Sequence, residues 1–219
     1  MDEDGVTVVT NPLAQDCLTD LRSVDTGDAA FRGRLNDLGQ VCGVALADRL
    51  PAESVDVTTP LAETTGTRVR SEDVVLVSVL RAATPFVAGL VDALPRARQG
   101  VLSASRNEQR RLEDGTFPVE VEYVKLPEID GDTVVVADPM LATGSTMCAA
   151  LSAVEEAGDP AEVLALAAVS APAGIERVQT EFPEAAVATV AVDDRLDENG
   201  YIVPGLGDAG DRAFGTAGE

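Results

Sequence analysis

One stretch of the chain decides its fold class, residues 133–146, which read TVVVADPMLATGST. The β-branched run at 133–137 is typical of a strand buried on both faces, and a helix is predicted to begin near Met147. Ligands of open α/β sheets bind at the carboxyl ends of strands, where the loop between these two elements lies. The stretch therefore predicts an α/β protein with a ligand-binding loop.

The loop has the chemistry of a phosphate-binding site. Gly144 lets the backbone turn tightly and approach an anion. Ser145 and Thr146 add hydroxyls beside the N–H groups of the helix start, where the positive end of the helix dipole lies. Asp138, at the strand tip, can accept hydrogen bonds from sugar hydroxyls. Read alone, Thr-Gly-Ser-Thr is more typical of an ordinary helix cap, with Thr143 or Ser145 as the capping residue.

Further strand and helix patterns surround this unit. Apolar runs predict buried strands at 74–80, 163–169 and 187–192, and apolar periodicity predicts helices at 12–23, 28–50, 84–94 and from about 173. Alternating strands and helices indicate a parallel, doubly wound sheet. Residues 119–124 alternate between apolar and acidic side chains, which predicts a half-exposed strand in a hairpin or arm. We expect residues 1–219 to form one domain.

The charge of the chain excludes several kinds of partner. Its net charge is −22, from 38 acidic and 16 basic residues, and Lys125 is its single lysine. So negative a field repels nucleic-acid backbones. Neither a membrane span nor a signal peptide is recognisable. We expect a cytoplasmic protein with no nucleic-acid or membrane partner, and the composition resembles that of proteins from halophilic archaea.

The residue types present limit the possible chemistry. The chain has no histidine, which excludes Ser-His-Asp triads and histidine-bound metals. Cys17, Cys42 and Cys148 are far apart in sequence, so we expect reduced, partly buried thiols. Any catalysis must use carboxylates, arginines, backbone amides and a loosely held cation.

Two segments give the chain a family resemblance. The string DPMLATGST at 138–146, in its strand-loop-helix setting, resembles the phosphoribosyl pyrophosphate (PRPP) loop of type I phosphoribosyltransferases, in the form found in their uracil branch. The string YIVPGLGDAGDR at 201–212, continued by FGT at 214–216, is similar to the uracil-binding hood of uracil phosphoribosyltransferases. Without the family, a segment so rich in glycine and proline would be typical of a flexible tail, although its interleaved apolar residues indicate packing.

The resemblance implies a set of site residues. Arg81 and Arg106, which individually are typical of surface ion pairs, match two family arginines that contact the pyrophosphate of PRPP. The implied PRPP-binding residues are Arg81, Arg106, Asp138, Pro139, Met140, Leu141, Ala142, Thr143, Gly144, Ser145, Thr146 and Asp208. The implied uracil-binding residues are Ile202, Gly207, Asp208 and Ala209.

The resemblance also implies a fold and a reaction. The fold is an α/β, type I phosphoribosyltransferase-like parallel sheet flanked by helices, with a β-arm and a C-terminal hood built mainly from about 193–219. The reaction joins uracil to PRPP, giving UMP and diphosphate in pyrimidine salvage, with Mg²⁺ and without a protein nucleophile. No dedicated protein cage for the metal is expected, and Asp208 would reach it directly or through water. A homo-oligomer, a dimer or a tetramer, is also implied.

Two departures from the family and one regulatory hypothesis stand beside this interpretation. Ser145 occupies a position where the family more often has a second glycine, and Arg106 lies in Ser-Arg-Asn where Tyr-Arg-Asp or similar is common. Arg32, Gly33 and Arg34 fall where archaeal relatives place a basic, nucleotide-responsive segment. They could bind GTP or another nucleotide effector, or form a solvated helix face.

Three rival functions share the fold. A phosphoribosyltransferase for a purine is disfavoured by the 202–212 segment. An RNA-binding regulator of pyrimidine operons needs a basic face, which 16 bases among 38 acids do not supply. A catalytically silent oligomerisation module would not need the loop, the tail and both arginines that match the family.

Overall fold

The computed structural model describes residues 5–106 and 119–216. The strands are β1 (Val6–Val8), β2 (Ala52–Thr58), β3 (Glu63–Val69), β4 (Val74–Leu80), β5 (Arg98–Arg106), β6 (Val119–Lys125), β7 (Thr133–Ala137), β8 (Met140–Leu141), β9 (Glu162–Ser170), β10 (Ala186–Val192), β11 (Arg195–Leu196) and β12 (Ile202–Val203). The helices are α1 (Pro12–Arg22), α2 (Asp28–Ala45), α3 (Thr84–Ala93), α4 (Ser145–Ala157), α5 (Pro172–Glu181) and α6 (Ala209–Phe214).

The main sheet has the strand order β1-β10-β9-β7-β4-β5-β6. Neighbouring strands of this sheet are parallel, except β5 and β6, which are antiparallel. The short strand β8 also pairs with β9, in parallel. After β4 the chain moves to β5 on one side, whereas after β7 it moves to β9 on the other. The two loops therefore diverge at the carboxyl ends of adjacent strands, where α/β proteins open a crevice for ligands.

The sheet is buried on both faces by two apolar clusters. Leu76 and Val135 face one cluster, shared with α1, α2 and α3. Val77 and Val134 face the other, shared with α4 and α5. Because successive strand residues point to opposite faces, the two clusters explain why β4 and β7 are continuous apolar runs. No helix within the described ranges is long and apolar enough to cross a membrane.

Most of the elements expected from the sequence are present. The strands predicted at 74–80 and 133–137 are confirmed with those bounds, and β9, β10 and the predicted helices are confirmed with small shifts. Helix α2 ends at Ala45 instead of continuing to residue 50, because a short 3₁₀ turn follows it. The sequence patterns did not predict β1, β5 or the β2–β3 pair.

The strand predicted at 119–124 in a hairpin or arm is confirmed as β6, which pairs in antiparallel with the preceding strand β5, although it is mostly and not half exposed. This strand forms an edge of the main sheet. The hairpin that stands apart is formed by β2 and β3, which pair only with each other and are mostly exposed. Both of its faces are largely polar, so it lacks the one-sided apolar alternation from which half-buried strands are recognised.

We expect the stability of the fold to rise with salt. The charge of −22 produces self-repulsion, which is screened over roughly 3 Å at molar ionic strength. The thermal midpoint should therefore increase from dilute to multimolar KCl. Sucrose is the control, because it strengthens apolar burial without screening charge. A midpoint that is highest in dilute buffer would contradict the prediction.

Candidate active site

A cavity of about 750 Å³ opens at the carboxyl ends of β4 and β7. The C-terminal segment covers it, so residues of both predicted groups face the same space. The predicted residues that line it are Arg81, Asp138, Met140, Ala142, Thr146, Ile202, Gly207 and Asp208. Glu198, Asn199 and Tyr201, which the sequence did not single out as site residues, also line it. The structure thus brings the phosphate-type loop and the tail together.

The loop after β7 leads directly into helix α4. Gly144 has a left-handed backbone (φ +80°) at the cap position, which L-residues with a side chain rarely adopt. No side chain caps α4 in the described part of the chain, apart from a long 3.5 Å approach of the Ser145 N–H to Thr143 Oγ1. The N–H groups of the first turn therefore face the loop without a capping partner, which favours an anion site over an ordinary helix cap.

Asp138 occupies the tip of β7 as expected. It is buried, and its Oδ1 accepts a hydrogen bond from the Met140 backbone N–H at 3.2 Å. Pro139, Leu141, Thr143, Gly144 and Ser145 do not line the cavity. Of these, Leu141 is a core residue of the sheet. The nine-residue string therefore divides into residues that face the cavity and residues that shape the loop.

The structure explains why a serine is tolerated at position 145. Its side chain is buried, and its Oγ accepts a hydrogen bond from Arg177 Nη1 at 2.7 Å. Arg177 is held in turn by Glu181, at 2.8 Å from Nε. The hydroxyl thus turns toward α5, where it crowds no ligand in the cavity. Arg177 is distant in sequence from the loop, and no local pattern signals its role.

The cysteines are not reactive groups. All three are buried and free. Burial raises the pKa of Cys42 to about 12, and burial together with the nearby Glu181 raises the pKa of Cys148 to about 12. Burial is also the main cause that raises the pKa of Cys17. Such thiols stay protonated near neutral pH, where the thiolate would be the nucleophile.

Arg81 directly follows β4 and lines the cavity. Its Nη2 donates to Asp211 Oδ1 at 2.9 Å and to Thr216 Oγ1 at 3.2 Å. Its guanidinium also lies over the Phe214 ring, 5.4 Å from the centroid. Arg106 is the last residue of β5, and its side chain lies outside the described part of the chain.

The tail is fixed in place by an ion pair between the partly buried Arg22 and the buried Asp193. Asp193 accepts two hydrogen bonds from Arg22, at 2.8 and 2.6 Å, and a third from the Gly205 N–H at 2.8 Å. Arg22 also donates to the Gly205 carbonyl at 2.8 Å. A Cβ on Gly205 would lie 2.1 Å from the Ile202 carbonyl oxygen, so the turn accepts only glycine.

A second arginine anchors the helix α6 at the end of the tail. Arg212 donates to the carbonyls of Leu21, Leu206 and Ser23, the last two at 2.7 and 2.6 Å. Its guanidinium lies 4.2 Å from the centroid of the Phe31 ring, and burial lowers its pKa. The tail is therefore packed and not flexible, contrary to what its glycine and proline content alone would indicate.

The predicted base-binding residues divide into two groups. Ile202, Gly207 and Asp208 line the cavity, whereas Ala209 is fully buried and packs in the core. Asp208 also caps α6, because its Oδ1 accepts the Asp211 N–H at 2.8 Å. Within residues 5–106 and 119–216, the backbone N–H groups of Gly207 and Asp208 have no protein acceptor. Ala209 can therefore contribute only its backbone.

The segment proposed as an effector site lies on α2, away from the cavity lining. Arg34 is paired with Asp20 at 2.6 Å, and Asp37 and Asp16 lie within 3.4 and 3.6 Å of it. Arg32 donates to the Ala213 carbonyl at 2.7 Å, and Gly33 faces open space. The carboxylates around Arg34 compete with an anionic effector, so the geometry favours a solvated helix face there. Nucleotide binding stays a prediction.

Comparison with known proteins decides the family. The family model for uracil phosphoribosyltransferase matches residues 8–216. The chain belongs to the uracil phosphoribosyltransferase family. It is 58% identical to the uracil phosphoribosyltransferase of Natronomonas pharaonis over 219 residues, which cover 98% of each chain. The family expected from the loop and tail motifs is therefore confirmed, and the halophile-like acidic composition agrees with the origin of this relative from a halophilic archaeon.

Solved structures confirm the fold. A protein from Aquifex aeolicus matches with a TM-score of 0.87 and 33% identity, covering 95% of this chain and 97% of that one. An adenine phosphoribosyltransferase from Trypanosoma brucei matches with a TM-score of 0.56 and 11% identity, covering 87% and 85%, and shares the fold alone. The expected phosphoribosyltransferase-like α/β fold is thus confirmed.

Proposed function

We propose that the chain transfers the phosphoribosyl group of PRPP to N1 of uracil, giving UMP and diphosphate. The observation that carries the proposal is one cavity lined both by the loop after β7 and by the C-terminal tail, in a chain of the uracil phosphoribosyltransferase family. Each half of the cavity suits one substrate. The C1′–O bond to diphosphate breaks with its electron pair on the leaving oxygen, N1 bonds to C1′, and the N1 proton is released.

The loop after β7 suits the phosphoribosyl end of PRPP. The N–H groups at the start of the 13-residue helix α4, where Thr146 lines the cavity, would hold the 5′-phosphate, and Thr143, Gly144 and Ser145 would shape the turn that presents them. Thr146, which lines the cavity, would add a further hydrogen bond through its hydroxyl. Asp138 at the strand tip would accept hydrogen bonds from the ribose hydroxyls. These contacts fix C1′ in position, which is where much of the rate acceleration in such a reaction arises.

The part of the cavity lined by Arg81 suits the pyrophosphate of PRPP. Arg81, and Arg106 at the end of β5, would stabilise the charge that develops on the leaving group. A guanidinium is suited to this because it is charged at all relevant pH values and offers several donors. The ribose becomes oxocarbenium-like as the pyrophosphate leaves, so no protein nucleophile is needed.

A divalent cation fits this cavity. The described lining contains three carboxylates, on Asp138, Glu198 and Asp208, against the single guanidinium of Arg81. In the described part of the chain no group of three or more acidic or cysteine side chains could hold a metal by itself. Mg²⁺ commonly uses one or two carboxylates, several waters and the phosphates of its substrate. Asp208 would hold it directly or through water, and the metal would neutralise charge on the pyrophosphate.

The tail suits the base. Uracil would lie against Ile202, with the backbone of residues 207–209 along its polar edge. The N–H groups of Gly207 and Asp208 need an acceptor, and uracil offers O2 and O4. We keep the homo-oligomer, a dimer or a tetramer, and the GTP-type effector as predictions.

One assay tests the proposal. We expect UMP to form from uracil and PRPP with Mg²⁺ in high salt, and not with adenine or hypoxanthine replacing uracil. Product formation from a purine but not from uracil would contradict it in favour of the purine rival. Tight, salt-resistant RNA retention on a filter without UMP formation would favour the regulator instead.

A further inference from the structure

Arg81 is held by the last helix of the tail and not by the sheet that carries it. Asp211 Oδ1 lies 2.9 Å from Arg81 Nη2, and Thr216 Oγ1 lies 3.2 Å from the same nitrogen. Thr216 also donates to Asp211 Oδ1 at 2.6 Å, which closes a triangle of hydrogen bonds. The Phe214 ring supports the guanidinium from one face. We call Asp211, Phe214 and Thr216 the arginine cradle.

The cradle occupies only part of the guanidinium. Nη2 carries two N–H groups, and these two bonds use both. Within the described residues, the donors on Nε and Nη1 form no hydrogen bond, so they can meet phosphate oxygens. Arg81 also lines the cavity. The cradle therefore fixes the plane of the guanidinium while three of its five donors stay available.

The cradle belongs to the same short helix that borders the base. Asp208 and Gly210 line the cavity, and Asp208 caps the helix that carries Asp211. A long, half-exposed arginine has many rotamers, and fixing one costs conformational entropy. A half-exposed ion pair adds little to the stability of a fold. Its effect should be larger on catalysis, where a misplaced charged donor reduces the rate.

We propose that Asp211, assisted by Thr216 and Phe214, is a positioning residue that orients Arg81 toward the pyrophosphate of PRPP. The proposal rests on the proposed function, in which Arg81 contacts the leaving group. It makes the tail a part of both halves of the site, because α6 holds the arginine for the pyrophosphate while its N-terminal end reads the base.

Asp211→Asn tests the proposal, because it removes the charge while keeping the size of the side chain. We expect kcat/KM for PRPP to fall by about tenfold to hundredfold. Inhibition by diphosphate should weaken in parallel, and the thermal midpoint should stay nearly unchanged. Asp48→Asn is the matched control, since Asp48 is exposed on a remote 3₁₀ turn and makes the same chemical change.

A double-mutant cycle separates positioning from a structural role. If Asp211 acts through Arg81, then Arg81→Lys and Arg81→Lys/Asp211→Asn should have equal kcat/KM for PRPP, because the two losses are not additive. Additive losses would overturn the proposal. If Asp211→Asn is unstable, Thr216→Val serves as the second variant, with an expected loss of about threefold to tenfold from one missing hydrogen bond.

Failure of the inference can be distinguished from failure of the proposed function. A wild-type chain that makes no UMP, or an Arg81→Lys variant with unchanged PRPP kinetics, would contradict the proposed function and the inference with it. The inference alone would be overturned if the wild type is active and Arg81→Lys is impaired, while Asp211→Asn and Thr216→Val have normal PRPP kinetics.

Discussion

Gly144→Val should abolish PRPP binding, with a loss of at least about a hundredfold in kcat/KM for PRPP. Gly144 has φ +80°, and a Cβ there would lie 3.0 Å from the Gly174 carbonyl oxygen and 3.1 Å from Arg177 Cβ. A left-handed backbone costs an L-residue roughly 1–2 kcal/mol, and a β-branched side chain adds crowding. Because α5 blocks retreat on that side, the loop must move toward the anion or change its turn. Calorimetric titration with PRPP measures the effect.

Gly131→Val is the matched control for this variant. Gly131 has nearly the same backbone angle, φ +75°, and its Cβ would have no neighbour within 4 Å. It lies in the turn before β7, at the amino end of the strand and away from the cavity. We expect a similar backbone cost in stability but unchanged PRPP binding. A Gly144→Val variant that titrates like wild type would remove the loop from the site.

Uracil should be preferred over cytosine by about 10²–10⁴-fold in kcat/KM. In the proposed function the tail would present backbone groups and the apolar Ile202, which line the cavity, to the base, and backbone groups cannot rotate to accept a different pattern. An N–H aimed at O4 of uracil would face the amino group of cytosine, and a carbonyl that accepts N3–H would lose its partner. Each unpaired buried group costs about 1–3 kcal/mol, and two of them give the stated range.

The control for this prediction must leave the backbone intact. Ala209→Ser does not qualify, because Ala209 is fully buried and the change would place a hydroxyl in the core. Ile202→Val is better suited, since it removes one methylene from a side chain at the cavity wall. We expect it to weaken both bases similarly and to keep the preference. Equal kcat/KM for uracil and cytosine in the wild type would show that residues 202–209 do not read the pyrimidine edge.

The tail has features that the sequence predicts and others that only the packing reveals. Its motif predicted the family and a base-binding segment, and the comparisons confirm the family. Its composition alone indicated a flexible end, which the partly buried Arg22–Asp193 pair and the Arg212 anchor contradict. Arg22 and Asp193 are 171 positions apart. No local sequence pattern can predict a pair so distant, because an arginine or an aspartate at either position is equally compatible with an exposed, solvated side chain.

A different reason explains why the β2–β3 hairpin was not predicted. Strands β2, β3 and β6 are all mostly exposed, but residues 119–124 alternate regularly between apolar and acidic side chains, whereas β2 has only Val55 and Val57 as alternating apolar residues and β3 is polar up to Val69. The alternation at β6 does not show whether this strand belongs to a hairpin that stands apart or forms the edge of the main sheet. That choice depends on β5, whose run at 98–106 contains too many polar residues to predict a strand.

The sequence by itself determined the α/β class, the buried parallel strands, the phosphate-type loop and the family. These depend on local patterns of burial, on a left-handed glycine at a helix start and on nearly contiguous motifs. Only the tertiary structure decided that Ala209 faces the core, that Ser145 turns to Arg177, and that Arg81 lies in a cradle 130 positions away. Side-chain direction and long-range charge pairing follow from how distant elements pack, and that packing is not encoded in any single window of the chain.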